Sequence, residues 1–198
     1  MKESGAGWVK GLVIGFFAIV LIGIVFVWLF LTGGFPDVYR NVGKYREALS
    51  SHGSNTRFLV FPEEIPESGL ENAEFYYFFQ DTFGNPTLEV FLRCTYGEED
   101  FQAETERLEH AKLVTKTGER LLMRDEDGRF SYPAYIAILD RMSSAEYALI
   151  TGEREITYIY YRMRKPGSFR KVPSELLPEP FEISSDHGKG FSVYTLDE

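Results

Sequence analysis

Between Gly11 and Leu31 the chain runs 21 residues without a charged, amide or hydroxyl side chain. At about 1.5 Å of rise per residue, such a run makes a helix of about 30 Å, the thickness of a bilayer's hydrocarbon core. Trp8 and Trp28 stand 20 residues apart, the spacing of indole rings anchored near opposite interfaces, and Lys10 lies directly against the apolar run. Gly33, Gly34 and Pro36 stop the helix. A secretory signal peptide has an apolar core of about 7–15 residues and small residues at a cleavage site. Here the core is longer, stays bulky through Val27-Trp28-Leu29-Phe30-Leu31, and is followed by Thr32-Gly33-Gly34 with no A-x-A pattern. The expectation is a short tail over residues 1–10 and an uncleaved single-pass transmembrane helix, a signal-anchor, over residues 11–32.

Lys2 and Lys10 precede the helix, while Arg40, Lys44 and Arg46 follow it. Counting Lys and Arg alone leans towards a cytoplasmic C-terminus. Lys10 abuts the apolar run, however, and the α-amino group adds a third N-terminal cation. The downstream cations are more distant and mixed with Asp37 and Glu47. The expected topology has a cytoplasmic N-terminus and a C-terminal domain outside the cytoplasm. Gly7, Gly11 and Gly15 lie four residues apart, and Gly23 continues the stripe. Small residues at this spacing let membrane helices approach closely. The expected partners are therefore the lipid bilayer and, through these glycines, a second copy or another membrane helix.

After the anchor, residues 37–198 suffice for one domain with a real core, and all 12 Tyr lie there. The net charge of -9 excludes a nucleic-acid partner on electrostatic grounds. The one cysteine, Cys94, cannot form an internal disulfide or a multi-cysteine metal site. Leu88, Val90, Leu92, Cys94 and Tyr96 alternate onto one face, opposite Thr87, Glu89, Arg93 and Thr95, which places Cys94 on the core side of a strand.

Val38, Val42, Tyr45 and Leu49 repeat at helical spacing and predict an amphipathic stalk helix over residues 37–52 that packs on the domain; the alternative is that Arg40 and Lys44, one turn apart on it, touch lipid headgroups. The domain proper is expected over residues 57–198. Arg57 to Phe61 reads as a strand stopped by Pro62; Glu74 to Gln80 and Thr87 to Tyr96 read as a hairpin. Glu98 to His110 reads as a helix with three acids in its first turn and Phe101, Leu108 and Ala111 inward. Strands are expected near residues 113–116, 120–123, 129–139, 146–150 and 155–162, with a final short strand near 191–195. The order predicts an α+β fold: an N-terminal transmembrane helix, then a mostly antiparallel sheet with one or two covering helices.

No catalytic constellation stands out. Asp125-Glu126-Asp127-Gly128 fails as a calcium loop because its fifth and twelfth positions are Arg129 and Ile136. His187-Gly188-Lys189-Gly190 shares only glycines with a phosphate loop, and His52, His110 and His187 are scattered. No cofactor or metal is expected. Tyr76, Tyr77, Tyr158, Tyr160 and Tyr161 are candidates for an exposed aromatic recognition surface for a peptide or glycan, against the plainer reading as core.

Phe58-Leu59-Val60-Phe61-Pro62, Ile65-Pro66, Phe75-Tyr76-Tyr77 and Cys94-Thr95-Tyr96 carry a resemblance over residues 57–110. The chain resembles functionally uncharacterised, membrane-anchored envelope proteins of Gram-positive bacteria. The resemblance implies an exported domain and supplies no catalytic residues. The sequence thus points to a membrane-anchored protein with a non-catalytic interaction domain of unknown ligand. The alternatives are an envelope enzyme with a site assembled from dispersed Asp, Glu, Tyr and His, or an accessory subunit of a membrane complex.

Overall fold

A computed structural model describes residues 4–32, 35–51, 58–82, 85–115, 118–125, 128–140, 144–162, 169–178 and 192–193. The first helix, α1 (Ser4–Thr32), contains the apolar run, and its Lys10–Leu29 stretch has a mean hydropathy of 3.0 with none of it buried against the rest of the molecule. It is long and apolar enough to cross a membrane; a secretory signal sequence passes the same test of length and composition.

Among the described residues eight strands form one sheet in which every pairing is antiparallel: β1 (Asp37–Tyr39), β2 (Glu74–Thr82), β3 (Asn85–Thr95), β6 (Met123–Arg124), β7 (Ala134–Asp140), β8 (Ser144–Gly152), β9 (Glu155–Arg162) and β10 (Ser192–Val193). The order is β1-β2-β3-β9-β8-β7-β10, with β6 also pairing β7; β4 (Lys112–Thr115) and β5 (Gly118–Leu121) make a separate hairpin. The β2–β3 hairpin and the β7–β8–β9 meander are thus joined where β3 meets β9. The α+β expectation holds, as do the helix α4 (Glu98–His110) and the alternation in β3.

Both faces of the sheet are covered. On one, Leu88, Val90, Leu92, Cys94 and Tyr96 of the β3 segment meet Tyr45 and Ala48 of α2 (Tyr45–Ser51) and Leu108 of α4. On the other, Phe91, Ile136, Tyr147 and Ile159 meet Phe130, Val172 and Leu176. A short helix, α3 (Glu67–Leu70), brings Gly69 against the Tyr96 ring.

Two sequence expectations are corrected. Residues 37–51 are not one stalk helix. Asp37–Tyr39 pairs with β2, and the Asn41 side chain accepts the Gly43 N–H at 2.8 Å, capping a 3-10 turn (Val42–Lys44) that leads into α2. The helical spacing is real from Val42 onward; Val38, 42% exposed, belongs to the sheet edge. Phe58–Phe61 is not a strand but an irregular segment lying on the α2/α4 face. Residues 52–57, His187 to Gly190, Pro166 and Pro180 lie outside the described residues.

Candidate functional site

The irregular segment shows how the interior is organised. A backbone without a strand partner must satisfy its N–H and C=O groups elsewhere. Glu146, on β8 and fully buried, accepts from the Leu59 N–H and, at 2.8 Å, from the Val60 N–H, both on Oε1. Arg107 Nη2 donates to the Val60 carbonyl at 2.6 Å, and the Tyr45 hydroxyl donates to the Pro62 carbonyl at 2.6 Å. Burial pushes the Glu146 carboxyl up to about 7, outweighing the two backbone donors and Arg107, which favour the charged form. Its Oε2 has no hydrogen-bond partner among the described residues.

Beside this clamp, Arg107 donates to both Glu104 oxygens at 2.7 and 2.6 Å, the Tyr158 hydroxyl donates to Glu104 Oε1 at 2.6 Å, and the Tyr96 and Tyr158 hydroxyls lie 2.8 Å apart. Burial pushes the Cys94 thiol up to about 12, so it stays protonated and unreactive. These groups hold one another and the backbone, with Arg107 part-exposed at the rim and Glu104, Cys94, Tyr96 and Tyr158 buried.

The opposite face repeats the device. Glu89, on β3 and 1% exposed, accepts from three successive backbone N–H groups: Arg170 at 2.9 Å, Lys171 at 2.7 Å and Val172 at 3.1 Å. One carboxylate therefore seats the strap formed by residues 169–177 on the sheet.

Where this strap meets the β1–β2 edge, a groove of about 560 Å³ opens, lined by Arg40, Ala73, Glu74, Tyr76, Arg170 and Lys171, with Phe75 completing its wall. The Arg40 guanidinium lies 5.7 Å from the centre of the Tyr76 ring, and that of Arg170 lies 3.9 Å from the centre of the Phe78 ring. Cation–π contact of this kind fixes a guanidinium while leaving its N–H donors at the edge. Among the described residues no carboxylate forms an ion pair with Arg40 or Arg170. Lys171 pairs with Glu74, which Arg93 also approaches at 3.6 Å. Burial raises the Tyr76 phenol pKa, Glu89 adds to the rise, and Arg170 and Arg40 act against it, which puts both guanidiniums within electrostatic reach of that hydroxyl. The arrangement presents cationic N–H donors that can bind an anion.

The five tyrosines singled out from the sequence do not make an exposed platform. Tyr77, Tyr158 and Tyr160 lie in the core under α2 and α4, Tyr76 and Tyr161 in the core under the strap, and their exposures run from 0 to 7%. With a covering layer on each face, ring edges that a one-sided sheet would leave at its rim are enclosed. Tyr76 lines the groove wall. Trp8 and Trp28 are 73% and 59% exposed on α1, and Lys10 is exposed. Gly7, Gly11, Gly15 and Gly23 all fall within α1, and a Cβ added at Gly11, Gly15 or Gly23 would meet nothing within 4 Å. In this fold the Asp125 Oδ2 accepts the Phe130 N–H at 2.8 Å. Among the described residues no group of three or more His, Cys, Asp or Glu is placed to hold a metal ion.

The sequence reading missed Glu146, Glu89, Glu104 and the groove. Glu146 had a legible signal, a lone carboxylate inside Ala145-Glu146-Tyr147-Ala148-Leu149-Ile150; Arg170 and Lys171 had none, since only the strap's path brings them to Arg40. Comparisons of the chain with family models, curated proteins and solved structures return no match.

Proposed function

We propose that this is a single-pass membrane protein whose α+β domain works outside the cytoplasm as a non-catalytic interaction module. The observation that carries the reading is α1, whose apolar Lys10–Leu29 stretch is entirely unburied. Only four residues separate its end at Thr32 from the first strand of a sheet with its own core. The 21-residue run from Gly11 to Leu31 left in water would be a large exposed hydrophobic surface; hydrocarbon removes that cost. Lys10 at the head of the helix and the resemblance to anchored envelope proteins favour the outward orientation. The use made of the deepest ionisable groups favours binding over catalysis. Glu146 and Glu89 hold backbone, Glu104 holds Arg107 and Tyr158, and the groove presents cations at the surface.

Fractionation tests the anchor. The full chain is expected to remain in membranes through carbonate and high-salt washes at its full mass. Extraction by carbonate refutes a spanning helix, and release of a chain shortened by its N-terminal segment identifies a cleaved signal sequence instead.

A further inference from the structure

The groove at the β1–β2 edge sets three cations, Arg40, Arg170 and Lys171, around Tyr76 in a chain whose net charge is -9. Two carboxylates are near: Glu74, shared between Lys171 and Arg93, and Glu89, whose oxygens take the backbone N–H groups of residues 170–172. Both guanidiniums are held against rings, and neither has a carboxylate partner among the described residues. Such a cluster of cationic donors in an acidic chain has the chemistry to hold an anion.

Its place along the chain selects the anion. Arg40 is eight residues beyond the end of α1, so at about 3.5 Å per residue its Cα lies within about 28 Å of the helix end. The residues between add apolar surface: Phe35 is 81% exposed, and Val38 is 42% exposed. Val38 pairs with Phe78 in the sheet, which puts it, like Arg40 two residues on, on the face that carries Phe78 and Tyr76. Exposed apolar side chains beside cations, tethered close to a membrane-spanning helix, suit the boundary between headgroups and acyl chains. We infer that the groove between the strap and the β1–β2 edge binds the phosphate of an anionic phospholipid headgroup, with Arg40 and Arg170 as its donors. The inference rests on the membrane-anchored reading. It replaces the alternative in which Arg40 and Lys44 touch headgroups from one helix: Lys44 is paired with Glu47, and Arg170 stands with Arg40 in the groove.

The full chain is reconstituted in nanodiscs of phosphatidylcholine and phosphatidylglycerol at four to one, and native mass spectrometry reads the ratio of the two lipids retained per chain. The wild type is expected to retain phosphatidylglycerol preferentially. In the R40Q/R170Q variant the preference should fall about 25-fold, at about five-fold for each basic residue near an anionic surface. Glu74→Gln, which releases Lys171, should raise the preference several-fold, a gain that misfolding cannot mimic. Lys112→Gln, a cation paired with Glu119 on the separate β4–β5 hairpin, should change nothing. An unchanged preference in R40Q/R170Q, or a loss in Glu74→Gln, overturns the site. Displacement of phosphatidylglycerol by millimolar inorganic phosphate overturns the lipid as ligand. All variants should stay in carbonate-washed membranes; if the wild type does not, the anchored reading fails instead.

Discussion

Replacing Glu146 by Gln tests whether a buried carboxyl seats the irregular segment over the sheet. The ordinary carboxyl value of 4.5 is raised to about 7 by burial, so below 4.5 both folded and unfolded chains carry the proton. Between 4.5 and 7 only the unfolded chain ionises, and stability falls as pH rises, the loss being complete above 7. The shift of about 2.5 units corresponds to about 3 kcal/mol. For a domain of about 150 residues that is a fall in Tm of about 6–12 °C between pH 4.5 and 8. Thermal unfolding of the full chain in detergent, followed by circular dichroism at half-unit steps of pH, should show this fall in the wild type. In Glu146→Gln the same window should be flat relative to the wild type, because the amide keeps the acceptor for Leu59 and Val60 and does not titrate. The absolute stability of the amide variant is not the readout, since its NH2 group replaces the unpartnered Oε2. Parallel pH curves for the two proteins would refute the argument. Glu146→Leu should lose about 2–6 kcal/mol at pH 4.5, from two N–H groups left without an acceptor, and the loss should shrink as pH rises towards 8 because the variant does not titrate.

On the other face, Glu89→Leu removes the acceptor of three successive N–H groups and should speed hydrogen exchange at residues 170–172 at least tenfold while leaving exchange in β9 unchanged. Cys94 should resist a thiol reagent in the native protein and react at once in denaturant, since it is buried and its thiol stays protonated. Gly69→Ala should cost about 1–3 kcal/mol in chemical denaturation, because the new Cβ would lie 2.8 Å from Tyr96 Cε1 in a core where Tyr96 also meets Tyr158.

The elements legible in the sequence are those whose periodicity agrees with their neighbours. Leu88, Val90, Leu92, Cys94 and Tyr96 alternate because one face of β3 lies in the main core, and α4 is announced by its acidic first turn and inward Leu108. The apolar run of α1 is legible from length alone. Phe58-Leu59-Val60-Phe61 misleads because its β-propensity is outbid by side chains from other elements: Glu146, Arg107 and Tyr45 supply the partners a strand would have given. The stalk misleads because Val38 falls into helical register by spacing while its backbone pairs with Phe78; Asn41, a ready N-cap, marks the true boundary. Glu89 is correctly placed opposite Cys94, yet that face is also buried, under a strap some 80 residues away in sequence. The same strap encloses Tyr161 and carries Arg170 to the groove, so neither the lost platform nor the groove is visible without the tertiary fold.

The proposed topology holds the domain outside the cytoplasm on its membrane anchor. Glu153 lies exposed in the turn between β8 and β9, and Cys94 is buried, so Glu153→Cys gives the full chain one reactive thiol among its described residues. Intact cells are treated with a membrane-impermeant maleimide, and the carbonate-washed membranes are analysed by intact mass. The expected result is a full-length chain in the membrane fraction carrying one label added before lysis. A full-length chain labelled only after lysis would place the domain in the cytoplasm and overturn the outward topology.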